Sequence, residues 1–337
     1  MKAASKAWGK PLQVNPCWLV ACLLSLPIRL EAEDTSVQAR LIINQMTVAT
    51  KTLNYDGIFV YIRGGHVASM RIIHKADDNG EQERLISLSG PAREVIRKRG
   101  EVACIFPDNR AVMVDKRPPH HFLASALPQP IEKIADFYSF SVLGGDRIAG
   151  RPTWVVGILP KGEDRYGYRL WIDTSTHLLL RSNIIDASGK VLEQVLFTAI
   201  ETPPDISPEM LKSSINGQGY TWYTNESPAP AKADLKATGW RIGWLPQGFA
   251  IREHKVHAMA PHQEPVNHII MSDGLATVSV FVEELKQKTD RLEGFSSVGA
   301  VNTYSTTVDS YQITVVGEVP AATVLQIAAS VTPGPSP

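Results

Sequence analysis

The chain has 337 residues, with 34 Lys and Arg balanced by 34 Asp and Glu, 44% hydrophobic residues and 3 Cys. That length suggests two domains, because a single core rarely grows past roughly 250–300 residues. Charge balance with ordinary hydrophobicity excludes a wholly disordered chain and a strongly basic nucleic-acid binder, and the single short apolar run excludes a polytopic membrane protein.

Residues 1–32 read as an export signal. Lys2, Lys6 and Lys10 make a basic start, an apolar stretch runs from Cys17 to Leu26, and the small residue Ala32 marks the expected cleavage point. The stretch is too short to span roughly 30 Å of hydrocarbon. Leu19-Val-Ala-Cys22 also fits a lipoprotein cleavage pattern, which would leave Cys22 lipidated; the apolar run continuing through Leu23, Leu24 and Leu26 favours the soluble product. Cleavage removes Lys2, Lys6, Lys10, Arg29 and Glu31, so the mature chain is acidic by three charges and keeps Cys104 alone. A lone cysteine makes no internal disulfide, so the exported fold must rest on packing. Within Val102-Ala-Cys-Ile-Phe106, Cys104 reads as a small buried hydrophobe.

Thr35 and Ser36 precede Val37, Leu41, Ile42, Met46 and Val48, which predicts an amphipathic helix to about residue 51. The period then drops to two. Gly57–Arg63 and Val67–His74, joined at Gly64-Gly65, predict a hairpin. Strands are expected at Glu83–Leu88, Glu94–Arg99, Val102–Phe106 and Ala111–Asp115. After a helical turn at Ile131–Phe137 they continue at Ser139–Ile148, Thr153–Leu159, Tyr168–Asp173, Leu178–Asp186 and Val191–Ile200. Sequential strands joined by tight turns predict an antiparallel meander curved around one helix, a large β domain over residues 33–203. Phe59, Tyr61, Met70, Trp154 and Trp171 either fill its core or line a concave lipid groove. Arg93, Arg97, Lys98 and Arg99 are either a solvated strand edge or a collar for anionic lipid head groups.

Prolines 203, 204, 208, 228 and 230 mark residues 204–236 as an interdomain linker, with Tyr220-Thr-Trp-Tyr223 free to dock on either side. A smaller α+β domain is expected over 237–331. Its strands lie at Ile251–Ala258, Val266–Met271, Thr277–Glu283, Ala300–Thr307 and Tyr311–Glu318, and its last helix, Ala321–Ser330, follows Pro320. Residues 332–337 are expected to be a disordered tail. Trp240, Trp244 and Phe249 are candidate partner-binding anchors, or equally small-domain core.

Chemistry-bearing motifs are missing. Gly294-Phe-Ser-Ser-Val-Gly299 is one residue too long for a nucleophile elbow and reads as a loop. His120-His121, and the pair His254 and His257, diverge on an extended chain and do not converge on zinc. Asp77-Asp-Asn-Gly80 lacks the acids of a calcium loop. No catalytic residue, metal site or cofactor is expected.

Several separated blocks then resemble the RseB/MucB family. They are Leu53-Asn-Tyr-Asp-Gly-Ile-Phe-Val-Tyr61 after a helix, Gly150-Arg-Pro-Thr-Trp-Val-Val156, Tyr168-Arg-Leu-Trp-Ile-Asp173 and Leu178-Leu-Leu-Arg181. Trp244-Leu-Pro-Gln-Gly-Phe249, Ser272-Asp-Gly-Leu-Ala-Thr-Val-Ser-Val280 and Gly317-Glu-Val-Pro320 follow in the same order, so the likeness runs from about residue 35 to 330. The resemblance implies a periplasmic regulator of a sigma-E/AlgU-type extracytoplasmic sigma factor. Such a protein binds the periplasmic part of a membrane-spanning anti-sigma factor, shields it from regulated proteolysis, and releases it on lipid, lipopolysaccharide or lipoprotein signals. It also implies a LolA-like unclosed antiparallel β-barrel with a helix. No catalytic residue carries over, and a homodimer is left open. The competing readings are a periplasmic lipid or lipoprotein carrier, which has no use for the second domain, and a secreted hydrolase built on His120 or His254.

Overall fold

The computed structural model describes residues 28–334, apart from 79, 99, 116–126, 128–129, 226–238, 259–264 and 287–290. The export signal as far as Pro27, with Cys22, and also Arg99 and His120-His121, lie outside the described residues.

Helix α1 (Ile28–Thr52) starts ahead of the expected Thr35. It buries Ala39, Ile42, Ile43, Met46 and Ala49, while Val37, Leu41 and Val48 stay exposed. The expected stripe was two stripes: at about 100° per residue, Val37, Leu41 and Val48 fall on one side and Ile42 and Met46 on the other. One face alone can meet a sheet.

Among the described residues that sheet has twelve strands. They are β1 (Tyr55–Arg63), β2 (His66–Asp77), β3 (Gly80–Ser87), β4 (Glu94–Lys98), β5 (Glu101–Phe106), β6 (Ala111–Asp115), β7 (Tyr138–Ile148), β8 (Arg151–Pro160), β9 (Gly167–Asp173), β10 (Leu179–Ile185), β11 (Val191–Glu201) and β12 (Thr221–Asn225). Two antiparallel meanders, β1 to β6 and β7 to β11, join where β1 pairs with β11. Strands β7 and β12 are left as edges, so the barrel is unclosed. Its hollow side takes α1, whose Ile43 and Met46 pack with Tyr138, Phe140, Ile158 and Ile172. Phe59, Met70, Trp171, Leu180 and Phe197 form a second apolar cluster. Each such fully buried side chain contributes about 1.5–3 kcal/mol.

The Pro-rich segment is not free throughout. Ile206 and Leu211 bury against Ile73, and β12 runs parallel to β6. Lys75 Nζ bonds Asp205 (2.7 Å), and Arg84 donates to the Met210 carbonyl (3.1 Å) and to Glu94 (2.9 Å). The Ser214 hydroxyl donates to Glu94 (2.5 Å). Burial opposes ionisation of Glu94, but the bonds from Arg84, Ser214 and Ser213 outweigh it and hold the carboxyl below its ordinary value. Residues 204–225 are thus a strap on the large sheet. Prolines limit the backbone of such a strap without preventing its apolar side chains from docking.

The smaller domain comprises β13 (Trp240–Ile242), β14 (Ala250–Ala258), β15 (Pro265–Ser272), β16 (Thr277–Glu284), β17 (Gly294–Val298), β18 (Val301–Val308), β19 (Tyr311–Gly317), α2 (Ala321–Ala329) and β20 (Val331–Pro333). Its main sheet is antiparallel in the order β14-β15-β16-β19-β18-β17, with Val324 and Ile327 of α2 in the core beside it. Two expectations are corrected here. Gly294–Val298, read as a loop, is an edge strand whose side chains are all exposed, so no alternation betrays it. Residues 332–334, read as disordered, pair with the start of the domain, and Gly334 N–H donates to the Gly239 carbonyl (2.7 Å).

Candidate functional site: the interdomain seam and its cavity

Strand register decides what meets at the seam. Arg63 pairs with Glu193, Ile185 with Gly167 and Tyr138 with Pro160, so β1, β11, β10, β9, β8 and β7 all present the same end. In the small domain Ala250 pairs with Ser272, Ser272 with Thr277, Val278 with Gly317 and Asn302 with Gly317. Its turns at 243–249, 273–276 and 299–300 therefore share one end too. The two sheets dock end to end.

At one side of this seam the contact is sealed. Asp273 spends one carboxylate oxygen on the N–H groups of Leu275 (2.9 Å) and Ala276 (2.8 Å), fixing its own turn. The other oxygen accepts from Arg165 Nε (2.6 Å) and Tyr138 Oη (3.1 Å). The pair is 3% and 0% exposed. Arg165 also donates to the Gln247 carbonyl and bonds Asp164 (2.6 Å). Its guanidinium lies 5.2 Å from the Phe137 ring centre and 5.0 Å from that of Phe249, one ring from each domain. Burial opposes its charge, yet the bond to Asp273 and the charges of Asp164 and Asp273 hold its pKa above the ordinary arginine value. Gly248, with φ +86°, lies flat on Phe137: a Cβ there would stand 2.3 Å from the ring.

The opposite side is open. Glu193 accepts from Tyr61 Oη (2.6 Å) and from Ala300 N–H of the small domain (3.0 Å), and forms an ion pair with Arg63 Nε (3.2 Å). Arg63 Nε also reaches the Val298 carbonyl (3.2 Å). Gly299, at φ +62°, approaches so closely that a Cβ would meet Arg63 Cγ at 2.6 Å. Between the two sides Asn302 donates to Tyr166 Oη (2.9 Å), and Thr323 Oγ1 to the Asp164 carbonyl (3.1 Å).

These contacts enclose a cavity of about 430 Å³ lined by Ile158, Leu170, Leu179 and Val195 of the large sheet and capped by Leu275 and Glu318 of the small domain. Small-molecule sites are typically of this size, roughly 300–1,000 Å³. Tyr61, Arg63 and Glu193 stand at its rim.

Of the five groove candidates, Tyr61 lines the cavity. Phe59, Met70 and Trp171 are buried as core, and the Trp171 indole is fixed on Asp146 (2.8 Å). Trp154, partly buried, stacks on His177. Arg93 and Lys98 are exposed on or beside β4, and Arg97 is paired with Glu83 (3.5 Å). None of these three borders the cavity; Arg97 and Lys98 line a separate hollow of about 100 Å³. Trp240 packs edge-on to Tyr311 in the small-domain core, Trp244 packs against the same core, and Phe249 faces Arg165. Trp240 and Phe249 are thus buried core and seam residues, not exposed anchors, because their rings pack on Tyr311 and Arg165. Sequence reasoning missed Arg63, Arg165, Glu193, Asp273 and Glu318. Arg63, Asp273 and Glu318 lay within expected strands or resemblance blocks but carried no role there. Among the described residues no cluster of His, Cys, Asp and Glu could hold a metal ion, and no helix is long and apolar enough to cross a membrane.

Comparison with known proteins agrees with this layout. The MucB/RseB N-terminal domain profile matches residues 38–215 and the MucB/RseB C-terminal domain profile residues 234–332. The sigma factor AlgU regulatory protein MucB of Pseudomonas aeruginosa is 32% identical over 325 residues, covering 94% of this chain and 96% of MucB. The sigma-E factor regulatory protein RseB of Escherichia coli K12 is 28% identical over 93% of this chain and 97% of its own. A crystal structure of MucB in complex with MucA(peri) superposes with a TM-score of 0.70 at 28% identity, covering 88% of this chain and all of that one. The P. aeruginosa MucA/MucB complex gives 0.69 at 26% identity, over 89% of this chain and all of that one. MucB described without a partner gives 0.61 at 28% identity, over 88% of this chain and 98% of that one.

Proposed function

The chain belongs to the MucB/RseB family, and from that premise we propose that it is a non-catalytic periplasmic regulator. It binds the extracytoplasmic part of an anti-sigma factor, shields that part from proteolysis, and reads a lipid signal in the cavity between its domains. The observation that carries this reading is a hollow whose walls come from both domains, Leu170 and Val195 on one side and Leu275 on the other. A ligand there touches the very contacts that set the domain arrangement. The higher TM-scores of the MucA-bound structures support reading the closed seam as the partner-holding arrangement.

The energetics are adequate. Burying an alkyl chain is worth about 0.8 kcal/mol per CH₂, so half burial of a twelve-carbon chain yields on the order of 5 kcal/mol before ordering costs. Inverting a two-state equilibrium from 1:99 to 99:1 takes about 5.5 kcal/mol of differential affinity. One chain can therefore bias the seam if it prefers one arrangement.

The experiment is a titration of the cognate anti-sigma factor's extracytoplasmic segment into the protein, with and without an acylated ligand, alongside its cleavage by protease. Tight binding, protection, and loss of both on adding the lipid are expected. A segment that neither binds nor is protected overturns the regulatory reading; one whose affinity ignores saturating lipid overturns the sensing half.

A further inference from the structure

The face of the large sheet turned away from α1 carries a polar cluster of its own. Leu170, Ile172 and Leu179 pack on the helix side. Alternation therefore sends Arg169 and Trp171 of β9, and Arg181 and Asn183 of β10, to the outer face, with Gln194 of β11 beside them. In the register Asn183 lies between Arg169 and Gln194, and Arg181 lies opposite Trp171. Arg169 and Arg181 are thus diagonal neighbours on one face, a backbone separation of about 7–8 Å that long side chains bridge.

No carboxylate contacts either guanidinium among the described residues. Arg181 lies on Trp171, with its guanidinium carbon 4.1 Å from the ring centre, and donates to the neutral oxygens of Asn183 (3.3 Å) and Gln194 (3.1 Å). Arg169 makes no hydrogen bond or ion pair among the described residues, although its Nε is buried. Asp146 is the acid whose charge reaches Arg181, but one of its oxygens accepts from the Trp171 indole (2.8 Å) and the other from the Arg147 N–H (2.7 Å). Every other buried or part-buried arginine on the strands of this sheet, Arg63, Arg71, Arg84, Arg97 and Arg151, has a carboxylate within 3.5 Å. Burial pulls Arg181 below the ordinary arginine value and Arg169 pulls it further, against Asp146. Two like charges side by side, one with a buried N–H left unmet, destabilise the empty face and favour an anion upon it.

We propose that Arg169 and Arg181 form a phosphate site on the outer face of the large sheet, where a dianionic phosphate group, free or as a monoester, bridges the two guanidinium groups. Two cations match a dianion in charge. Three terminal oxygens can meet the fork of Arg169 and still reach Arg181, whereas the two oxygens of a carboxylate are spent on one fork. Arg169, Arg181 and Asn183 do not line the interdomain cavity, so this site is separate from the ligand reading given above.

Inorganic phosphate, glucose 1-phosphate and acetate, titrated calorimetrically into the purified protein at constant ionic strength and about pH 8, where a monoester is dianionic, test the site. Phosphate is expected to bind about tenfold tighter than acetate, as one further charge-assisted hydrogen bond gives. Arg169→Gln is expected to weaken phosphate about tenfold while leaving the phosphate-free melting temperature no lower, because Arg169 has no partner to lose. Arg169→Lys keeps the charge without the fork and should fall between. Glucose 1-phosphate binding as tightly as phosphate supports the site and assigns it to phosphorylated ligands; its exclusion supports the site and assigns it to free phosphate. Acetate binding as tightly as phosphate overturns the dianion, and failure of both phosphates to bind overturns the site. Phosphate binding that survives Arg169→Gln places the anion elsewhere. A fall in the phosphate-free melting temperature of Arg169→Gln makes Arg169 a structural residue and overturns the proposal.

Discussion

The two sides of the interdomain seam use the same chemistry, an arginine against a carboxylate, and differ in what surrounds it. Arg165 and Asp273 are shut between Phe137, Tyr138 and Phe249, with all three guanidinium nitrogens and both carboxylate oxygens hydrogen-bonded to protein partners. Arg63 and Glu193 border a hollow: Glu193 is buried, but Arg63 keeps 34% of its side chain exposed, and Tyr61 Oη and Ala300 N–H bond Glu193 independently of it. A desolvated pair is costly to break because each charge is stranded, whereas a solvated one is replaced by water at little cost. The sealed side therefore holds the domains together and the open side can respond to what enters.

Arg165→Met should test this contrast most severely. Stranding Asp273 is expected to cost about 3–5 kcal/mol, read by urea denaturation, with a larger radius of gyration as the domains part. Arg63→Met should cost less, about 1–2 kcal/mol, because Tyr61 and Ala300 still donate to the Glu193 carboxylate. Equal losses would erase the distinction between the two sides.

Gly248→Ala comes next. Its Cβ would collide with Phe137, so beyond the roughly 1–2 kcal/mol for a left-handed alanine it should lose a further 1–3 kcal/mol from overpacking. Gly189→Ala, at φ +83° with nothing within 4 Å, carries the backbone cost alone and is the control. Matching melting temperatures for the two variants would mean that the seam yields without resistance.

A smaller effect is expected for Tyr61→Phe, which takes one of two hydrogen-bond donors from Glu193 and should cost about 1–2 kcal/mol in thermal unfolding. Smallest is the pH response. A carboxyl whose folded pKa is raised destabilises the fold above that pKa and ceases to do so below its ordinary value, so Glu83, raised by burial on β3, and Glu318 make the protein more stable as pH falls from neutral toward 4.5. Glu94 acts oppositely: its depressed pKa contributes stability that is lost as pH falls through it. Stability should thus rise and then drop on acidification, and Glu83→Gln combined with Glu318→Gln should flatten only the rise.

Local pattern carried most of the strand assignments. Runs of β-branched and aromatic residues in Gly57–Arg63 or Tyr168–Asp173, and the turn at Gly64-Gly65, are short-range signals, and each strand formed within a few residues of its expected place. Where side chains are exposed on both faces, as in Gly294–Val298, that signal vanishes and hydrogen bonding to a neighbour alone makes the strand. The helix stripe failed for a related reason: Val37 and Leu41 are as apolar as Ile42, and only the position of the sheet says which face is buried.

By itself the sequence determined the two β-rich domains, the single early helix, the lack of catalytic motifs and the family likeness, because propensity, periodicity and turn chemistry act over a few residues. The seam was decided by tertiary structure alone. Arg165 meets Asp273 across 108 positions and Tyr61 meets Glu193 across 132. No spacing rule links such residues, since their meeting depends on the summed twist and register of every strand between them.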